Sequence, residues 1–283
     1  MILKFLSKIY SLLVKIRNRS YENGRKKIFS ASAPVISVGN LSVGGSGKTP
    51  FTIMLARDLM SLDIHPAVLG RGYKKKNKGE VIVSDGKNIL ADAQAGGDEM
   101  LMTAKKLRSV PVIANEKKYE SAVNIHKSFD IDCIILDDGF QHRMLKRDID
   151  IVIIDKKSFM NRNVIPQGRL REPFSSISRA DVVCISPDID PREALKELSE
   201  DQLLVISEIE TGEPYELFTE KRLNIEEIRN FRNGIVAVSA IANSSRFENS
   251  LRTAEVSIIK HFSFPDHYHY KIKDLERMKE QGL

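Results

Sequence analysis

Short continuous apolar runs alternate along the chain with segments whose apolar positions recur every three or four residues. The short runs place candidate strands at 35–38, 67–69, 80–83, 110–114, 133–136, 149–154, 181–185, 203–206, 235–238 and 255–260. The longer periodic segments place helices at 49–62, 98–107, 117–128, 191–198 and 244–254. Most of the strands are apolar throughout rather than alternating, as strands covered by helices on both faces must be. Strands alternating with helices imply crossover units and a mainly parallel α/β sheet. The rhythm breaks in the polar stretch 209–227, which divides the chain into a main domain at 26–212 and a smaller C-terminal α/β lobe at 213–283.

The first residues, 1–25, carry a different pattern. On a helix, Ile2, Phe5, Leu6, Ile9, Leu13 and Ile16 share one face, and Lys4, Lys8, Ser11 and Lys15 fall on another. The lysines interrupt the apolar segment too often for a secretory leader, although Ala31-Ser32-Ala33 resembles a cleavage site. No run of about 20 apolar residues exists to span a bilayer. A basic amphipathic helix either lies in a membrane interface, its lysines drawn to anionic lipid, or packs on the chain's own core.

Composition narrows the classes. At 283 residues, with 42% hydrophobic and 29% charged positions, the chain is ordinary globular protein with enough length for a large core. A net charge of +6 favours anionic partners without choosing among them. There is no Trp and no nucleic-acid module, which argues against nucleic acid. Cys133 and Cys184 sit inside apolar runs without metal spacing and read as buried, reduced thiols.

The candidate chemistry begins at "SVGNLSVGGSGKTP", Ser37 to Pro50, where a strand, a glycine-rich turn and a helix follow in the order of a Walker A phosphate loop. Gly44, Gly45, Ser46 and Gly47 would let backbone N–H groups approach a phosphate, with Lys48 reaching the β- and γ-phosphates and the Thr49 hydroxyl facing Mg²⁺. Ser42 stands where such loops usually have their first glycine, at the outer edge of the turn. A second element, "CIILDDGFQHRMLKRD", ends an apolar strand in Asp137 and Asp138, acids able to hold Mg²⁺ at the carboxyl edge of a parallel sheet. Asp-Asp-Gly is also good turn chemistry.

Read together, "GNLSVGGSGKTP" and "DDGFQHRMLKRD" resemble the tetraacyldisaccharide 4′-kinases, which phosphorylate the lipid A precursor of lipopolysaccharide at the bacterial inner membrane. Further stretches similar to that family follow in order: Gly70-Arg71-Gly72-Tyr73-Lys74, Gly97-Asp98-Glu99-Met100, Gly168 to Pro173 as "GRLREP", and Phe264 to His267 as "FPDH". A hydroxyl residue before "VGG" is what the family usually shows, which accounts for Ser42.

The resemblance implies an ATP- and Mg²⁺-dependent transfer of the γ-phosphoryl group to a sugar hydroxyl, catalysed by a peripheral enzyme on the cytoplasmic face of the inner membrane. It places Lys48 on phosphate, and Thr49, Asp137, Asp138 and Glu99 at the metal. Asp98 becomes the general base, oriented by His267, and competes with a helix-capping role. His142 is an alternative base or phosphate contact. Arg171 suits charge stabilisation in the transfer, and Arg71, Tyr73, Gln141 and Arg143 become substrate contacts. The run "YKKKNKG" reads either as a solvated loop or as a contact to anionic lipid or substrate phosphate. Met100 stands where a proline is usual. Family members generally continue through a further strand and helix past the point where this sequence stops, so a shortened C-terminal lobe is expected. No obligate protein partner is implied. The rival reading is a membrane-associated P-loop switch protein, distinguished by a water-positioning residue in place of the Asp98 and His267 pair.

Overall fold

The computed structural model describes residues 2–45, 47–210, 212–216, 219, 221–241 and 243–282. The chain forms two compact units, Met1–Glu208 and Ile209–Leu283. The first contains α1 (Ile2–Glu22), β1 (Val35–Asn40), α2 (Lys48–Ser61), β2 (Pro66–Gly70), β3 (Val81–Asp85), α3 (Ala93–Gly96), α4 (Asp98–Lys106), β4 (Pro111–Ala114), α5 (Lys118–Asn124), β5 (Cys133–Asp137), β6 (Ile149–Ile154), α6 (Lys156–Met160), β7 (Val182–Ile185), α7 (Pro191–Leu195) and β8 (Leu203–Ile206). The second contains α8 (Ile225–Arg229), β9 (Ile235–Ser239), α9 (Ser244–Thr253), β10 (Ile258–Ser263) and α10 (Ile272–Gly282).

The first unit is built on an eight-stranded sheet in the order β3-β4-β2-β5-β1-β6-β7-β8. All neighbours are parallel except β3, which runs antiparallel to β4 at one edge. Chain order reverses around β1: β2 and β5 lie to one side, β6 to the other. Such a switch opens a crevice at the carboxyl ends of the strands, the usual ligand position in open α/β sheets. One sheet face is covered by α2 and α4, whose Ile53, Ala56, Met100 and Ala104 pack on Val38, Val68 and Ile135. The other face is covered by α5, through Ala122, and by Phe140, Phe174, Ile177 and Ala194. The central strands are thus dry on both sides, which is why they read as unbroken apolar runs.

The second unit pairs β9 and β10 in parallel, with α9 and α10 packed on them. Its last strand starts at Ile258 rather than near 255, because Glu255 adopts a φ of 59° and closes α9, its N–H donating to the Arg252 carbonyl. Periodicity also extends α5 too far: the chain tightens into a 3₁₀ turn at Ile125–Lys127.

The first helix inverts the usual arrangement. Ser7, Val14, Asn18 and Tyr21 face the body of the unit, whereas Ile2, Leu3, Phe5, Leu6, Ile9, Leu12, Leu13 and Ile16 are exposed. Its apolar face therefore does not pack on the chain's own core. No described helix is long and apolar enough to cross a membrane.

Candidate active site

Beyond β1 the chain pairs with the 169–171 segment before it enters the glycine turn. Leu41 O accepts from Arg171 N at 2.6 Å, Ser42 bridges Leu170, and Val43 N donates to Arg169 O at 2.8 Å. Ser42 is buried in this pairing with the "GRLREP" segment, so its position needs no glycine. The left-handed positions come later, at Gly44 (φ 99°) and Gly47 (φ 85°), where L side chains are strained. A Cβ at Gly44 would also stand 2.8 Å from the Arg169 guanidinium, which itself donates to Val43 O. Gly45 is exposed between them, and Ser46 lies outside the described residues. Gly47 caps α2 without a side-chain hydrogen bond, leaving the first N–H groups of that helix and its dipole for an anion.

At the tip of β5, next to β1, the acids meet this loop. Asp137 accepts from Thr49 Oγ1 at 3.4 Å and from Thr52 Oγ1 at 3.5 Å. Asp138, in a left-handed turn (φ 51°), is gripped by both Arg171 Nη atoms at 2.9 and 2.7 Å and lies 3.5 Å from Lys48 Nζ. The same guanidinium donates to Asn40 Oδ1 at the end of β1. Burial, and then the neighbouring Asp138 charge, raise the Asp137 carboxyl above its ordinary range. Burial alone would raise Asp138 too, but the Arg171 bonds and the Lys48 charge outweigh it and hold that carboxyl well below the usual range. One acid is thus firmly ionised and the other is poised to gain from a cation placed beside it.

Underneath both acids sits Lys118, a residue for which the sequence offered no role. It is 4% exposed, and its ammonium donates to the carbonyls of Asp137 and Asp138 at 2.8 Å each. Burial lowers its pKa from 10.5 to about 8 despite the two carboxylates. It follows three polar residues after β4 and looks like any solvated helix-opening lysine, so no local pattern marks it.

Gly70 and Gly72 let the Arg71 loop lie against the start of α4: a Cβ at Gly97 would stand 3.0 Å from Gly72 Cα, and one at Gly72 would stand 2.7 Å from Gly96 O. This close backbone approach sets Arg71 and Tyr73 beside the turn that opens with Asp98 and Glu99. Met100 fills the space that Gly70 leaves, its sulfur where a Cβ would otherwise stand. Gly97, not Asp98, is the N-cap of α4, and Asp98 accepts from Glu99 N at 2.9 Å in the first turn. In the "YKKKNKG" run the Lys75 side chain turns inward and pairs with Glu116 at 3.0 Å, whereas Lys76 stays at the surface and bonds Gln94 Oε1 at 2.8 Å.

Gln141 donates to Asn40 O at 2.9 Å, and its carbonyl accepts from Arg17 at 2.6 Å. Arg143 reaches the Asn18 carbonyl and Glu22 of α1 and lies over the Tyr21 ring. His142 stacks at 6.2 Å on Tyr119, and burial lowers its pKa to about 4, so its imidazole is neutral at physiological pH. His267 belongs to the second unit, whereas Asp98 belongs to the first. It takes a φ of 55°, its N–H donates to Ala240 O at 3.0 Å, and its Nε2 lies 3.8 Å from Asp266.

Among the described residues, no three His, Cys, Asp or Glu side chains converge as a ready-made metal cage. The donor chemistry still fits Mg²⁺, which takes one or two hard oxygen ligands from protein and completes its shell with phosphate and water. The Thr49 hydroxyl and the Asp137 carboxylate supply such oxygens side by side.

A mainly parallel sheet with a glycine loop at its switch point, an uncapped helix start, a lysine on that loop and paired acids at the end of the neighbouring strand define a protein of the P-loop nucleotide-binding class. The sequence profile of LpxK, tetraacyldisaccharide-1-P 4'-kinase, matches residues 1–282, and the chain belongs to that family. A tetraacyldisaccharide 4'-kinase from Halothermothrix orenii is 37% identical over 98% of this chain and 77% of its own length. One from Aquifex aeolicus is 36% identical over 93% of this chain and 81% of its own length. The solved structure of LpxK from Aquifex aeolicus, in complex with ATP, superposes with a TM-score of 0.75 at 34% identity, covering 94% of this chain and 82% of that one.

Proposed function

We propose that this chain transfers the γ-phosphoryl group of ATP to the 4′-hydroxyl of a tetraacyldisaccharide 1-phosphate, a lipid A precursor, at a membrane surface. The observation that carries the reading is the convergence of Lys48, Thr49, Asp137, Asp138 and Arg171 at the carboxyl edge of β1 and β5, within a chain of this family. The loop N–H groups and Lys48 bind the β- and γ-phosphates. Thr49 and Asp137, with Asp138 and Glu99, would hold Mg²⁺, which would supply charge neutralisation on the phosphates. Asp98 takes the proton of the sugar hydroxyl as its oxygen bonds to the γ-phosphorus and the bond to the ADP oxygen breaks. Arg171 offsets charge that builds on the transferred group, and His267 is kept as a catalytic residue on the family pattern alone. His142, neutral and partly buried, serves as a contact rather than as an acid. Arg71, Tyr73, Gln141 and Arg143 border the acceptor.

The exposed apolar face of α1, flanked by Lys4, Lys8 and Lys15, supports peripheral attachment to anionic lipid, and on this reading the enzyme works at the cytoplasmic face of the inner membrane, where its lipid A precursor is made. Paired variants test the chemistry. Lys48→Ala weakens ATP binding measured by calorimetry and abolishes transfer, whereas Asp98→Ala leaves ATP affinity unchanged and lowers kcat about 10²–10⁴-fold. Equal loss of ATP affinity in both variants removes Asp98 from the role of base.

A further inference from the structure

The inward stripe of α1 is mostly polar, and its hydrogen bonds converge on the catalytic segment. Ser7 Oγ donates to Val164 O at 2.9 Å and accepts from Gln167 N at 2.9 Å. The Tyr10 hydroxyl donates to the Arg171 carbonyl at 2.9 Å, and Asn18 Nδ2 donates to Glu172 Oε2 at 2.9 Å. Arg17 reaches the carbonyl of Gln141. A helix that served only to attach the protein to a surface would need none of these contacts. Apart from the Arg17 bond, each joins the first helix to the stretch from Val164 to Glu172, whose Arg169 and Arg171 pair with the loop at Val43 and Leu41.

Glu172 is the firmest point of this contact. Its carboxylate is wholly buried and is balanced by Arg179 at 2.9 Å and by the Asn18 amide. Arg179 in turn lies 4.3 Å over the Phe140 ring, and Phe140 occupies the space that Gly39 of β1 leaves open. A buried carboxylate that loses a donor must find another or draw in water. Either response moves the backbone at Glu172, and the residue before it is Arg171, whose guanidinium clamps Asp138.

We infer that Tyr10 and Asn18 are positioning residues, which hold the Arg171–Glu172 backbone so that the Arg171 guanidinium stays on Asp138. The first helix is then part of active-site assembly, with its outer face available to lipid and its inner face setting the catalytic geometry. This rests on the kinase reading for its catalytic consequence, but not for its structural one.

The test compares full-length wild type with Asn18→Ala and Tyr10→Phe, the second removing a single hydroxyl and so sparing the fold. Three quantities are read: steady-state transfer in mixed micelles, co-sedimentation with phosphatidylethanolamine and phosphatidylglycerol vesicles, and amide hydrogen exchange of residues 41–43 and 169–172. The expected result is a fall in kcat of about tenfold, the size of one buried hydrogen bond, with KM for ATP and vesicle binding unchanged and exchange faster in both segments. Adding Asn18→Ala to Glu172→Gln should lower kcat no further, because the two act through one contact. Unchanged exchange and kcat, additive losses, or a kcat loss that tracks lost vesicle binding would each overturn the inference. If wild type transfers nothing to the disaccharide, the kinase reading fails while the exchange comparison still decides this one.

Discussion

Replacing Lys118 with Met separates two opposing effects of the buried amine. Met keeps an unbranched side chain of similar length and removes the bonds that Nζ makes at 2.8 Å to the carbonyls of Asp137 and Asp138. A hydrogen bond from a charged donor contributes about 1.5–3 kcal/mol, so the pair is worth about 3–6 kcal/mol. Against this, burial holds the ammonium from 10.5 down to about 8, which costs folding about 3 kcal/mol at neutral pH. The difference is a net destabilisation of about 0–3 kcal/mol, lowering Tm by about 2–4 °C for each kcal/mol. Activity should fall much further, by about 10–100-fold, because the lost bonds orient the two acids rather than merely support the fold. Scanning calorimetry and steady-state transfer read the two effects separately. The pH dependence adds a third check. Between pH 8 and 10.5 the folded wild type binds fewer protons than the unfolded chain, so its stability rises across that window, and the Met variant lacks the rise. A variant with full kcat, or wild-type stability that is flat in that window, refutes the reasoning.

Gly72→Ala forces a Cβ at a φ of 65° to within 2.7 Å of Gly96 O and 2.8 Å of Ala114 Cβ, so a loss of about 3 kcal/mol is expected in urea unfolding, with Arg71 and Tyr73 displaced. His142, with a folded pKa of about 4 against 6.5 unfolded, contributes stability that is present above pH 6.5 and lost as pH falls through 4, up to about 3 kcal/mol. His142→Gln should flatten that part of the stability profile. Leu12→Glu with Leu13→Glu, both on the exposed face of α1, should cut vesicle co-sedimentation by about 100-fold or more, since burying one leucine contributes about 1.5–3 kcal/mol.

What was legible beforehand was local. The strands of the parallel sheet, the loop from Gly44 to Thr49 and the Asp137-Asp138 turn each announce themselves within a dozen residues, because periodicity and glycine conformation are properties of short stretches. The direction of β3 was not legible, since an edge strand beside β4 satisfies the same apolar pattern either way. Lys118 was hidden for a different reason: its burial is set by where β5 ends, not by its own neighbours. The amphipathic pattern of α1 was correctly read, but not its orientation, which depends on Ser7, Tyr10 and Asn18 finding partners at Val164, Arg171 and Glu172. The pairing of Asp98 with His267 came from the family pattern alone, since about 170 positions separate them and local spacing leaves no trace of it.

The most direct test of the central claim is to incubate the full chain with γ-labelled ATP, Mg²⁺ and a tetraacyldisaccharide 1-phosphate in detergent micelles, and then to locate the label on the sugar. Stoichiometric label at the 4′ position, lost in Lys48→Ala, is the predicted result. ATP hydrolysis with no label on the disaccharide, or label at any other hydroxyl, would contradict it.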